Sequence, residues 1–68
     1  MKMTVTADEL QIGDRVFEPD NPEMFMYEVV DIRSKSKHRT IVLVMRRDGD
    51  MLRELPNTVE YPIERETL

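Results

Sequence analysis

The sequence predicts a mainly β protein: a small, strongly curled antiparallel barrel of about five strands, with one short helical turn near the N-terminus. Three observations carry that reading. The apolar residues fall in short runs rich in Val, Ile and aromatics, bounded by Gly, Pro, Asn and Asp. Gly13-Asp14 stands immediately before the first of those runs. Asp48-Gly49 is the strongest hairpin-turn signal in the chain.

Thr6-Ala7-Asp8-Glu9 fits the capping box, in which the Thr6 hydroxyl accepts from the Glu9 amide and the Glu9 carboxylate reaches back. Gly13 stops the helical turn, and Leu10 and Ile12 are expected to point inward. Gly13 then supplies a permissive backbone angle, Asp14 holds the turn, and Val16 and Phe17 begin the first strand. Pro19-Asp20-Asn21-Pro22 reads as a loop.

Phe25 to Arg33 reads as the second strand, although its alternation is broken. Phe25, Tyr27 and Val29 share one face, Val30 and Ile32 the other, and a bulge near Val29-Val30 would reconcile them. Arg39 to Arg46 reads as a central strand buried on both faces, because Ile41 to Met45 is an unbroken apolar run. Between these two strands, Ser34 to His38 is a polar link. Asp48-Gly49 is expected to form a type I′ turn into a short strand from Met51 to Leu55, and Pro56-Asn57 turns the chain again. In the last strand Val59, Tyr61 and Ile63 alternate with Glu60, Pro62 and Glu64. Pro62 places this strand at an edge, or its own nitrogen outward. Residues 65–68 read as a frayed tail on a single domain spanning 1–68.

The chain has 68 residues, room for one small domain with a thin core. Having no cysteine excludes a disulfide framework, thiolate zinc sites and cysteine catalysis. No run of about eighteen apolar residues is present, and the N-terminus lacks an apolar signal core, so a cytoplasmic location away from membranes is expected.

Leu10-Gln11-Ile12-Gly13-Asp14-Arg15-Val16 is a form of the L-x-x-G-D-x-V opening of small β-barrels. With the strand layout from Leu10 to Ile63, the chain resembles SH3-like barrels, including those of short bacterial and phage proteins. In size and composition it is also similar to the short accessory proteins that bacteriophages encode. The chain lacks Trp and has no tyrosine pair in its first long loop, so the resemblance does not extend to recognition of proline-rich peptides.

Catalysis is poorly supplied. His38 is the single histidine and lies in a polar loop with Ser34 and Ser36, where a nucleophile and base cannot be held in register. Asp48-Gly49-Asp50 is explained by a turn, and it lacks the longer oxygen-ligand pattern that calcium needs. No catalytic residue, metal ligand or cofactor is therefore expected.

Charge is unevenly distributed within a net of −4. Residues 8–31 carry eight acidic side chains against one basic, whereas residues 33–53 carry seven basic against two acidic. A hairpin of the second and third strands would place Arg33, Lys35, Lys37 and Arg39 near one end and Arg46 and Arg47 near the other. The two clusters would lie on the order of 20 Å apart. These six residues are the candidates for contact with nucleic acid, the second-choice reading. The alternatives are an electrostatic protein contact and simple protection of an exposed tip from aggregation.

Six methionines in a chain this short is a high count. Met24-Phe25-Met26-Tyr27 is apolar on both faces of its strand, so part of it is expected at the surface as an adaptable contact. The first-choice reading is a non-enzymatic protein-interaction module that uses Met24, Phe25, Met26 and Tyr27. Its partner would be another protein or a second copy of the chain.

Overall fold

A computed structural model describes residues 1–66. Six strands form one antiparallel sheet: β1 (Lys2–Thr6), β2 (Arg15–Glu18), β3 (Asn21–Lys35), β4 (Arg39–Arg46), β5 (Gly49–Pro56) and β6 (Glu60–Glu64). Their order is β1-β6-β2-β3-β4-β5, so β1 and β5 are unpaired edges and the sheet is open rather than closed. The extra strand is β1. Its residues Lys2 to Thr6 alternate apolar and polar in the manner of a half-buried strand.

A flat sheet would be about 10 Å thick. This molecule measures 28 × 27 × 25 Å, because the sheet curls around its own inner face. Val5, Val16, Tyr27, Val29, Val42, Val44, Leu55, Tyr61 and Ile63 line that face, and Ala7 and Leu10 fill it from the segment after β1. The helical turn is a single 3₁₀ turn, Ala7–Glu9. As the capping box predicts, the Glu9 carboxylate accepts from the Thr6 amide at 2.9 Å. That hydrogen bond holds the Glu9 carboxyl below its ordinary pKa.

Ile12, expected inward, is 64% exposed. The Gly13 amide donates to the Val29 carbonyl at 2.7 Å, and the tight turn into that bond carries Ile12 outward while Leu10 stays buried. The strand read from Phe25 begins earlier, at Asn21, so the expected loop shrinks to a turn at Pro19-Asp20. A bulge does fall at Val30, between the pairs Val29–Val44 and Asp31–Leu43, and a second lies at Arg33. These bulges let Val29 and Ile32 both face inward, opposite Val44 and Val42.

β4 has the expected bounds but is buried on one face only. Thr40, Val42 and Val44 point into the core, while Ile41 and Leu43 are half-buried and Met45 is exposed. The described residues form a single sheet, and among them no second layer covers its outer side. The β4–β5 turn also departs from expectation. A type I′ turn needs positive φ at both central residues, but the only positive φ there belongs to Gly49, at 124°. β6 lies inside the sheet rather than at an edge. Its ladder with β2 stops at Val16–Ile63, one residue short of Pro62, which has no N–H with which to extend it.

Arg65 was expected in a frayed tail. It donates instead to the carboxylate of Asp14, with Nε to Oδ1 at 2.8 Å and Nη2 to Oδ2 at 2.7 Å. Residues 67 and 68, the rest of that tail, lie outside the described residues.

Candidate functional site

The expected contact residues sit where β2 and β3 leave regular pairing. Val16 pairs with Tyr27 but Phe17 pairs with Phe25, so Met26 is an extra residue in β3. Glu18 pairs next with Asn21, which leaves Pro22, Glu23 and Met24 outside the ladder. The bulge at Met26 places Phe25 and Tyr27 on opposite faces, although their spacing would put them together. Met24 and Phe25 are therefore exposed, at 55% and 43%, Met26 is half-buried against the core, and Tyr27 is buried. Tyr27 is thus a core residue and not part of an open surface.

Phe25 is held from two sides. The Phe17 ring meets it edge-on with centroids 5.7 Å apart, and the Arg15 guanidinium lies 4.9 Å from its ring centre. Across the sheet Met45 pairs with Glu28, so Phe25, Met26 and Met45 border one depression together with Arg46 and Arg47. Leu52, opposite Leu43 on the outer face of edge strand β5, is 59% exposed. Met45 and Leu52 were not among the expected contact residues. For Met45 the signal was the apolar run of β4, which suggested burial on both faces.

The structure does not gather the basic residues into one patch. Arg33 pairs with Asp31 on its own strand at 3.2 Å, and Arg39 pairs with Glu54. Lys35 reaches the carbonyl of Asp8 at 2.9 Å, bridging to the 3₁₀ turn. Arg46 lies 3.9 Å from Asp48 and contacts the Met51 sulfur. Among the described residues only Lys37 and Arg47 of the six form none of these contacts. His38 is exposed, and its carbonyl accepts from the Asn57 amide at 2.9 Å. The Asn57 side chain completes a clasp, donating to the Ser36 carbonyl at 2.9 Å and accepting from the Thr40 hydroxyl at 2.8 Å.

Arg53, opposite Val42 on the inner side, lies over the Tyr27 ring at 5.8 Å from its centre. Burial pushes the Tyr27 hydroxyl up to about 12, against a partly offsetting pull from Arg53. Tyr61, also buried, is raised for the same reason. No group of three or more His, Cys, Asp or Glu able to hold a metal occurs among the described residues. No helix there is long and apolar enough to cross a membrane.

No protein-family model, curated protein or solved structure matches this chain.

Proposed function

We propose that the chain is a non-enzymatic protein-interaction module on an SH3-like scaffold, an accessory protein of the phage type, whose contact surface centres on Met24, Phe25 and Met26. The observation that carries this reading is the depression bordered by exposed Phe25 and Met45 and half-buried Met26, with exposed Met24 and Leu52 on the neighbouring strand positions. Large apolar side chains grouped in this way, with a charged rim, are characteristic of contact surfaces. Methionines add a side chain that reshapes to its partner. The scaffold reading is supported by the return of β6 to the side of β2 and by the bending of β3 through two bulges.

Nucleic-acid contact is the weaker reading, because most of the candidate cations already engage carboxylates or carbonyls of the chain itself.

Photo-cross-linking tests the proposal. p-Benzoylphenylalanine is placed at Met24 or Met45 and, as a control, at exposed Thr58 in the turn at the far end of β5. Discrete protein adducts from Met24 and Met45 alone are the expected result. An adduct of twice the chain mass identifies a second copy as the partner. Equal labelling from all three positions, or none from any, overturns the proposal.

A further inference from the structure

Among the described residues, β1 and β5 are paired on one side only, so each presents an open edge of backbone donors and acceptors. Native edges are commonly bent away by a bulge, interrupted by Pro or guarded by inward charges. Here β1 runs beside β6, and β5 beside β4, without a register shift, and Pro56 comes only at the end of β5. Arg53 is the one inward charge on β5, and it is half-buried over the Tyr27 ring. Leu52 and Met51 lie on this edge at 59% and 38% exposure.

The side chains of the two edges match each other. On β5, Met51 and Arg53 lie opposite inward-facing Val44 and Val42, so Asp50, Leu52 and Glu54 face outward. On β1, Val5 is buried and Met3 packs on the core, so Lys2, Thr4 and Thr6 face outward. An antiparallel register with Lys2 of one copy opposite Glu54 of the next keeps the inner faces on one side and uses the whole of β1. Outside, Lys2 then meets Glu54, Thr4 meets Leu52 and Thr6 meets Asp50. Inside, Met3 meets the Arg53 stem and Val5 meets Met51. Opposite charges and apolar groups are thereby paired, and no like charges meet.

Neither edge matches itself as well. Two β5 strands paired along most of their length, inner faces together, oppose Asp50 to Glu54 in one register and Arg53 to Arg53 in the other. Two β1 strands gain no ion pair and leave Met51 and Leu52 uncovered.

We propose that copies of this chain join head to tail, the β1 edge of one adding to the β5 edge of the next in the Lys2–Glu54 register. Such an interface is heterologous, so assembly continues into a ring or an open chain instead of stopping at two copies. It uses surfaces other than the Met24–Met26 region and does not depend on the reading of that region.

Sedimentation equilibrium and amide-resolved NMR on the whole chain, from about 10 μM to about 1 mM, test the proposal. The expected result is growth beyond twice the chain mass, with shifts at both Lys2–Thr6 and Gly49–Glu54. Lys2→Glu and Glu54→Lys each oppose like charges across the junction and should weaken assembly roughly fivefold. An equimolar mixture of these two variants should restore it, because every junction between unlike copies again pairs opposite charges. Leu52→Glu, which removes the apolar cover of Thr4, is a further variant should either of the others lose the dispersed spectrum of the folded chain.

A chain that stays monomeric up to about 1 mM overturns the proposal. A mass that stops at two copies with shifts at one edge alone also overturns it and assigns like-with-like pairing. Assembly with shifts away from these edges, or no recovery in the mixture, overturns it as well.

Discussion

Asp14 and Arg65, 51 residues apart in the chain, face each other fork to fork, with both guanidinium–carboxylate hydrogen bonds below 3 Å. Asp14 is 1% exposed and also accepts from the Gln11 amide at 2.9 Å. One carboxylate therefore closes the turn before β2 and anchors the segment after β6. The bonds to Asp14 raise the pKa of Arg65 further and keep its charge in place.

Removing one partner of a buried pair leaves the other charge uncompensated. Asp14→Ala is expected to cost about 3 kcal/mol in urea unfolding, and Arg65→Ala somewhat less, because Arg65 is partly solvated. The double variant should cost clearly less than the sum. Additive losses would show that the two residues act independently.

Tyr27 gives a pH signature. Its pKa is about 12 in the folded chain and about 10 when unfolded, so between those values the folded state holds a proton the unfolded state has released. Stability from this group is fully present below about pH 10 and falls as pH rises toward 12. The loss is on the order of 2 kcal/mol. Tyr27→Phe should remove much of this alkaline loss and, near neutral pH, leave stability unchanged or raised by about 1 kcal/mol, since it deletes an unpaired buried hydroxyl. Equilibrium unfolding at pH 7 and pH 11 reads both effects.

Gly13 and Gly49 have φ of 96° and 124°, and nothing lies within 4 Å of where a Cβ would sit. Alanine at either position is therefore expected to cost about 1–2 kcal/mol through backbone strain alone. A neutral substitution would mean that the turn relaxes to negative φ, which a shift of the neighbouring amide resonances would reveal.

Thr40 and Asn57 offer a sharper test of packing. Thr40→Val keeps the shape of a fully buried side chain but takes the hydrogen-bond donor from the Asn57 carbonyl oxygen. A cost of about 1–2 kcal/mol is expected, accompanied by faster amide exchange at Asn57. Unchanged exchange would show that the clasp holds without its Thr40 contact.

Oligonucleotide titrations distinguish the two functional readings. With Lys37 and Arg47 the only candidate cations that have no partner among the described residues, any binding should show a log–log salt slope no steeper than about −2. A slope near −5 would mean that Arg33, Arg39 and Arg46 release their carboxylates for phosphate, and would favour the nucleic-acid reading.

The β-rich character, the bounds of β4 and the bulge at Val30 were legible because each has a local cause: β-branched runs, Pro and Gly punctuation, and a break in alternation. β1 was passed over because five residues of weak alternation mean little until β6 lies alongside them. The Asp14–Arg65 pair was not legible, since nothing local links two residues so far apart. At the site, part of Met24 to Tyr27 was expected at the surface, and the exposed part is Met24 and Phe25. Tyr27 was misplaced because the bulge at Met26 reverses its face, and that bulge arises from pairing with β2 rather than from β3 itself.

The strand order also constrains how the chain assembles. β2 to β5 are joined by successive hairpins, so each can pair with a neighbour that has just been formed. β1 finds its sheet neighbour only in β6, with Lys2 opposite Glu64, and β6 must insert between β1 and β2. The meander is thus the fast, local half of the folding reaction. Docking of the two terminal strands closes the longest loops and is its slow half, and mutations there should act mainly on the rate of folding.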